Sequence, residues 1–378
     1  MDFYTVDSLI EKGIPTVFYI TGGGSMAIGE MLKHGGASAF FLEAQVPYNN
    51  KCVDQLLGSY TPEQYCSAAT SRMLAVCAQE RAVMLSGNAK AIGVGVTCKL
   101  KKGGPERFGR EHAIHVACHD FDKTYTASAI LEGVERENRV LEEQIAAELI
   151  CKTYCNMVDV PCLPAALGGV VKIDRADFPH MAKWEIYGYD AMFRPRVRGS
   201  AIPGVYDELV IFPGSFNPVH GGHMRIAREA YKATGKPVWF EISLNNCSKP
   251  TIDWISLRDR LTSFEHYKDE EAFAGIILSQ APLFVDKASL YEKPTFLVGT
   301  DTIQRIDDQR FYEDFNHYSN SITRLVSSGS KFRVYQRKGA VGQRMRHMGL
   351  LKTCTIVTDY EDLGESSTEI RKANDEDS

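Results

Sequence analysis

Three things are missing from this chain, and each absence removes a class of protein. No run of about 18 apolar residues occurs, so no membrane-spanning helix is expected. Neither sign of charge dominates: 43 Lys and Arg stand against 48 Asp and Glu, a formal charge of −5. That balance gives no global pull toward nucleic acid or an anionic membrane, so any anion site must be local. The ten cysteines show neither a small-domain framework nor paired CxxC spacing, and no HExxH occurs. This argues against a disulfide scaffold and against a metal cage. At the beginning, "MDFYTVDSLIEKG", no basic segment leads into an apolar run. The expectation is a cytoplasmic protein with reduced thiols, no nucleic-acid partner and no bound structural metal.

What is present is enough for two cores. A chain of 378 residues, 44% hydrophobic and 24% charged, has the composition of a globular protein of two domains. Residues 1–155 read as α/β. A Gly-rich turn, "TGGGSMAIGEML", leads into apolar residues at helical spacing (Met26, Ile28, Met31, Leu32). "TPEQYCSAATSRMLAVCAQE" predicts a helix with Thr61 as N-cap and Pro62 in its first turn. "AKAIGVGVTCKL" and "HAIHVACHDF" predict strands. In "EHAIHVACHDF" strand alternation puts His115 and His119 on one face and His112 and Cys118 on the other. "VERENRVLEEQIAAELICKTYC" predicts an amphipathic helix with a stripe of Val140, Leu141, Ile145, Leu149 and Ile150. Cys151 and Cys155 lie one helical turn apart, with Cys162 beyond, and read as buried thiols.

Residues 156–206 are rich in proline and glycine and read as a connector with short strands; its "FRPRVRG" reads as a solvated basic patch. From 207 to 378 strands and helices alternate: "ELVIFPG", the helix "HMRIAREAYKATG" ending at Gly235, "PVWFEISL", the helix "SLRDRLTSFEHY", "PTFLVGTD", "KFRVYQRKG" and "CTIVTDY", followed by a C-terminal helix. This alternation predicts a Rossmann-like parallel sheet, with ligands at the carboxyl ends of its strands.

The most informative stretch is "FPGSFNPVHGGHMRIA", residues 212–227. A strand ends at Pro213-Gly214. Gly214, Gly221 and Gly222 allow close approach of backbone to a ligand. A helix then begins near His223, and its free amides and dipole favour an anion. His220 and His223 supply donors to the same anion from either side. An ordinary strand–turn–helix with packed histidines is the plain alternative for HxxH alone. A second helix start decides against it: "LGESSTEIRK" has Ser366, Ser367 and Thr368 in a capping box with Glu369, and Arg371 close behind.

Together these residues resemble the nucleotidyltransferase superfamily, whose signatures are an HxGH turn and a C-terminal Ser-Ser/Thr-x-x-x-Arg segment. "GSFNPVHGGH" is most similar to the nicotinamide/nicotinate mononucleotide adenylyltransferases, and "FLVGTD" and "FRVYQRKG" follow in the family's order over about residues 207–373. The resemblance implies in-line adenylyl transfer from ATP to a pyridine mononucleotide, with Mg²⁺ bridging phosphates. It implies that His220, His223 and Arg371 carry the chemistry. Gly214, Ser215, Phe216, Gly222, Ser366, Ser367 and Thr368 would bind ATP. Asn217, Lys249 and Asp301 would bind substrate, with Arg258 a further phosphate contact. A homo-oligomer is expected.

Residues 5–155 resemble the competence-damage-inducible protein C-terminal domain, the fold of nicotinamide mononucleotide deamidases. Thr21-Gly22-Gly23, Gly36–Ser38, Tyr48-Asn49-Asn50, Gly58, the "TPE" helix and the closing Glu/Arg-rich helix carry that resemblance. Tyr19 stands where the family has its nucleophilic serine, and Val53 where it has its lysine, with Lys51 out of register. The loop "GVTCKLKKGGPERFG" also departs from the family's. A phenol without a base argues against amide hydrolysis. The expectation is therefore an adenylyltransferase with a degenerate deamidase-like domain. The alternatives are a bifunctional enzyme using Thr21 or Ser25, and a non-enzymatic nucleotide-binding regulator.

Overall fold

The computed structural model describes residues 1–104, 109–132, 138–162, 171–177, 186–189, 195–197, 208–245, 250–336, 347–358, 367 and 369–370. Two compact units form: Met1–His180 with Ser248–Arg258, and Met181–Cys247 with Asp259–Ser378.

The first unit is built on a mixed sheet of β1 (Thr16–Thr21), β2 (Phe41–Gln45), β3 (Ile92–Lys99), β4 (His112–His119), β5 (Lys123–Leu131) and β6 (Val171–Asp177). The order is β2-β1-β3-β4-β5-β6. β1 runs parallel to β2 and β3, and the remaining pairs are antiparallel. β1 is buried along its whole length, so both faces of the sheet must be covered. Alternation divides its side chains between two cores. Val17 and Tyr19 pack with Leu74 and Ala78 of the helix Ala68–Ser86. Phe18 and Ile20 pack with Ile145, Leu149 and Ile150 of the helix Arg139–Met157. Gly93 and Gly95 let the first of these helices lie directly on β3. A Cβ at Gly93 would stand 2.0 Å from the Ala75 carbonyl oxygen, and one at Gly95 2.2 Å from that of Ser71.

Two local expectations change. The helix expected from Thr61 begins at Ala68, because Ser67 is the residue that caps it, its hydroxyl accepting the Thr70 N–H at 3.1 Å. Val140, expected in the apolar stripe, is 62% exposed. It sits in the first turn beside the Asn138 cap, off the line that Leu141, Ile145 and Leu149 define four residues apart. The alternation of β4 is as expected: Cys118 packs in the core under the helix Arg139–Met157, and His112 hydrogen-bonds the fully buried Glu142 of that helix. On the other face the His115 ring meets the Ser128 hydroxyl at 2.8 Å and the His119 ring the Thr124 hydroxyl at 2.7 Å. Among the described residues no group of three His, Cys, Asp or Glu is placed to hold a metal.

The first unit also recruits distant sequence. β6, from the expected connector, pairs with β5. The segment 250–258 packs on the same unit. Trp254 donates its backbone N–H to the Thr124 hydroxyl and its indole N–H to the Asp120 carbonyl, both at 3.0 Å. Buried Asp253 pairs with Arg72 at 3.1 Å.

The second unit holds β7 (Ile186–Tyr189), β8 (Pro195–Val197), β9 (Val210–Pro213), β10 (Val238–Ser243), β11 (Phe273–Ser279), β12 (Thr295–Gly299), β13 (Lys331–Tyr335) and β14 (Cys354–Val357). Their order is β14-β13-β12-β9-β10-β11-β7-β8. Every pair is parallel except β7–β8, so the expected Rossmann-like sheet is present. β7 and β8 come from the expected connector, and β11 was not foreseen. From β9 the chain winds to one side through β10 and β11, then crosses to β12 on the other side. The strand order therefore reverses between β9 and β12, and in such sheets the ligand crevice opens at the carboxyl ends of those two strands.

Candidate active site

The turn after β9 lies at that reversal. Gly214 is required there: a Cβ would meet the Phe216 ring at 2.6 Å. The Gly214 amide donates to the Glu241 carbonyl on β10 at 3.0 Å. Phe216 adopts φ +42°, a conformation that is costly for a bulky residue. Burial of its ring compensates. The ring is 1% exposed and packs edge-on against Phe212, Phe240, Phe264 and His223. Phe216 thus shapes the turn from beneath, and its ring is not presented to a nucleotide. Ser215 is exposed, Asn217 half-buried and Gly222 buried.

The helix Gly221–Thr234 starts two residues earlier than expected, with buried His220 as its N-cap and Gly235 closing it at φ +69°. The His220 N–H donates to His223 Nδ1 at 3.2 Å. The ring nitrogen that accepts carries no proton, which makes Nε2 the donor side of the His223 ring. The two rings are neighbours, their centroids 3.7 Å apart and tilted by 37°. They stand side by side at the helix start, not on opposite sides of it. The arrangement is a helix N-terminus with an imidazole N–H donor beside it, which suits an anion whose charge grows during reaction.

The C-terminal signature reaches the same turn. The Ser367 hydroxyl donates to the Pro218 carbonyl at 3.0 Å, although the two are far apart in sequence. Ser366, Thr368, Arg371 and Lys249 lie outside the described residues. Asp301 is exposed in the first turn of the helix Thr300–Ile306, directly after β12, and so stands at the carboxyl end of β9's neighbour. Arg258 belongs to the first unit, where its guanidinium grips Asp174 through two bonds of 2.7 and 2.8 Å and holds that carboxyl below its usual range.

Sequence reading missed two residues that hold the turn. Arg260 Nη1 donates to the Ser215 carbonyl at 3.2 Å, and the Ser263 hydroxyl accepts the Val219 N–H at 3.1 Å. Nothing in "SLRDRLTSFEHY" marks them except their spacing on one helix face. Further along, Arg333 and Tyr335 of β13 both donate to Glu229 of the helix Gly221–Thr234.

In the first unit, Tyr19 and Val53 are both core residues, each 4% exposed. Burial and nearby Glu43 push the Tyr19 phenol up to about 12. Lys51 is exposed on the helix Asn50–Leu56. The Gly-rich turn is occupied from within: Glu143 accepts the Gly24 N–H at 2.9 Å, the Ser25 hydroxyl at 3.0 Å and the Met26 N–H at 3.3 Å. Beside it lies a cleft of about 320 Å³ lined by Gly23, Ser25, Val46, Tyr48 and Arg139.

Residues 211–373 match the Cytidylyltransferase-like family and form a domain of that type. Over 57 residues the chain is 42% identical to a probable nicotinate-nucleotide adenylyltransferase of Gluconobacter oxydans (strain 621H). That stretch is 15% of this chain and 29% of the relative, so the chain spans under a third of the relative's length. Solved structures similar to this chain include the competence/damage inducible protein CihA from Agrobacterium tumefaciens. It is 15% identical, with a TM-score of 0.29, over 42% of this chain and 98% of that one. Another is the competence-damaged protein (CinA) superfamily protein from Escherichia coli, 15% identical with a TM-score of 0.31 over 40% of this chain and 84% of that one. Among the described residues no helix is long and apolar enough to cross a membrane.

Proposed function

We propose that this cytidylyltransferase-like domain joins ATP to nicotinate or nicotinamide mononucleotide, giving the dinucleotide and pyrophosphate. The observation that carries the reading is the His220–His223 pair at the start of the helix Gly221–Thr234, with Ser367 hydrogen-bonded to the same turn. A phosphate oxygen of the mononucleotide attacks the α-phosphorus of ATP, and the bond from that phosphorus to the bridging oxygen breaks. In this reading the helix amides and His223 Nε2–H hold the ATP phosphates in line and stabilise the charge that moves onto pyrophosphate. Arg371 grips the departing end through two parallel donors. Asp301 accepts hydrogen bonds from a sugar hydroxyl.

In this reading Mg²⁺ would enter as a partner of the ATP phosphates. Mg²⁺ characteristically binds through substrate phosphates and waters with few protein carboxylates. When bound it neutralises phosphate charge. The protein acts in the cytoplasm as a homo-oligomer in this reading.

The first unit is, in the same proposal, not an amidase. Its phenol at position 19 is buried and held protonated, and Val53 offers no base. The test is incubation of the full chain with ATP, Mg²⁺ and each mononucleotide in turn, with products separated and weighed by mass spectrometry. Dinucleotide and pyrophosphate in equal amounts are expected. Absence of both with either mononucleotide would refute the transferase reading and leave the non-enzymatic one.

A further inference from the structure

From Val238 to Ile242 β10 is buried throughout and apolar at every residue but one. Val238, Trp239, Phe240 and Ile242 are core side chains, and among them Glu241 is 1% exposed. Its Oε1 accepts the Lys287 ammonium at 2.6 Å and the Ser279 hydroxyl. Lys287, on the helix Phe284–Ala288, is itself buried, as is Ser279, the last residue of β11. Glu241 Oε2 is also buried and has no hydrogen-bond partner among the described residues.

Stability does not explain this cluster. Removing two charges from water costs about as much as their attraction returns, and apolar residues of similar size commonly do as well or better. An unsatisfied buried oxygen adds to the cost. A cluster kept at such a cost calls for a role, and its position supplies one. Glu241 is the residue of β10 opposite Pro213, the last residue of β9. Its carbonyl is the acceptor of the Gly214 amide, the first bond of the turn that carries His220 and His223. The side chain of the same residue is bolted to β11 and to the helix Phe284–Ala288. One residue thus connects the turn's first amide to three elements of the sheet and its covering layer.

We propose that Glu241, held by Lys287 and Ser279, is a positioning residue for the turn 214–223. It fixes the carboxyl end of β10, so that the Gly214 amide, and behind it the two histidines, are in place before a nucleotide arrives. This rests on the transferase reading for its consequence in turnover, but not for its consequence in the turn itself. The conservative variants are Ser279→Ala, which removes one donor, and the double variant Glu241→Gln with Lys287→Met, which removes both charges and leaves no unpaired ion.

Two measurements are made on the full chain, each beside a thermal melt. The first is hydrogen–deuterium exchange of the peptide spanning 211–223 without ligand. The double variant should exchange there at least about tenfold faster than the parent, with peptides from β12 and β13 unchanged. The second is steady-state kinetics with ATP and mononucleotide. Turnover should fall about tenfold or more, since small misplacements of reacting groups have effects of that order, while a variant melting near the parent excludes simple unfolding. Ser279→Ala should move both readouts in the same direction by less. Parental exchange in 211–223 would overturn the positioning role whatever the turnover. Fast exchange in a parent-inactive protein would overturn the transferase reading and keep the positioning role. A double variant with faster exchange but parental turnover would show the turn's order to be irrelevant to catalysis and so overturn the proposal's functional half.

Discussion

Replacing His223 separates the two things this ring does. Its Nδ1 accepts the His220 N–H at 3.2 Å, and its ring packs edge-on against Phe216 at 5.0 Å and Phe212 at 5.8 Å. Its Nε2–H is the donor assigned to the nucleotide phosphates. His223→Ala loses one hydrogen bond and both edge-on aromatic contacts, together roughly 1.5–4 kcal/mol of stability. Loss of a preorganised donor to developing charge costs about 10²–10³ in turnover, or roughly 3–4 kcal/mol in the barrier. The stability loss is smaller than the roughly 5–15 kcal/mol by which a typical domain is stable, so the variant should stay folded and become slow.

Two further substitutions sharpen this. In His223→Asn the shorter amide can still accept the His220 N–H, but it offers no group at the Nε2 position. It should melt above the alanine variant and be nearly as slow as alanine. In His223→Gln the amide N–H₂ reaches about where Nε2 stood and should recover part of the turnover. The assay is initial rate of dinucleotide formation at saturating ATP and mononucleotide, with a thermal melt of each protein. An alanine or asparagine variant turning over at the parental rate while folded would refute the assignment of Nε2–H to the phosphates.

Three other outcomes are expected. Arg371→Lys should raise the KM for ATP and lower turnover despite keeping the charge, because an ammonium cannot reproduce the two-pronged grip of a guanidinium; parental values for both in steady-state kinetics would remove Arg371 from the site. The full chain should release no ammonia from nicotinamide mononucleotide, and ammonia release abolished by Thr21→Ala or Ser25→Ala would establish the bifunctional alternative. The chain itself is the right subject, since β6 and residues 250–258 complete the first unit. His115 and His119 should make the first unit sensitive to acid. Burial lowers both to about 4 from an ordinary 6.5, so between those values the unfolded chain binds protons that the folded one refuses. Stability should therefore fall as pH drops through that window, by at most about 3 kcal/mol per histidine. Melting curves from pH 7 to 4 should flatten in His115→Gln and His119→Gln, and identical pH slopes in parent and variants would refute this.

Features of this fold that depend on neighbouring residues could be read from the chain, and those that depend on distant ones could not. The turn after β9 was legible because its glycines, its histidines and the helix start sit within a dozen residues, and Gly235 marked the helix end by the left-handed cap it adopts. The alternation of β4 was legible for the same reason. By contrast, Thr61 and Ser67 are equally good caps in isolation, and only packing against β3 selects Ser67. β11 escaped because Gly275 interrupts it at φ +148°, where the Trp239 ring leaves no room for a Cβ. β6 and the antiparallel pair β7–β8 lie at the margins of their sheets; their sequence carries proline, glycine and charge, and pairing alone makes them strands. Polar partners were the least legible. Arg258 reads as a phosphate contact in sequence, and only the fold brings it Asp174; Glu241 looks like a surface residue until Lys287 pairs with it. A charged side chain announces what it could bind, but a partner many residues away decides whether it is still available. Lys249 and Arg371, which lie outside the described residues, are charged assignments of that kind. Their roles therefore turn on which carboxylates the folded chain leaves them, and the Arg371→Lys kinetics address that question for the arginine.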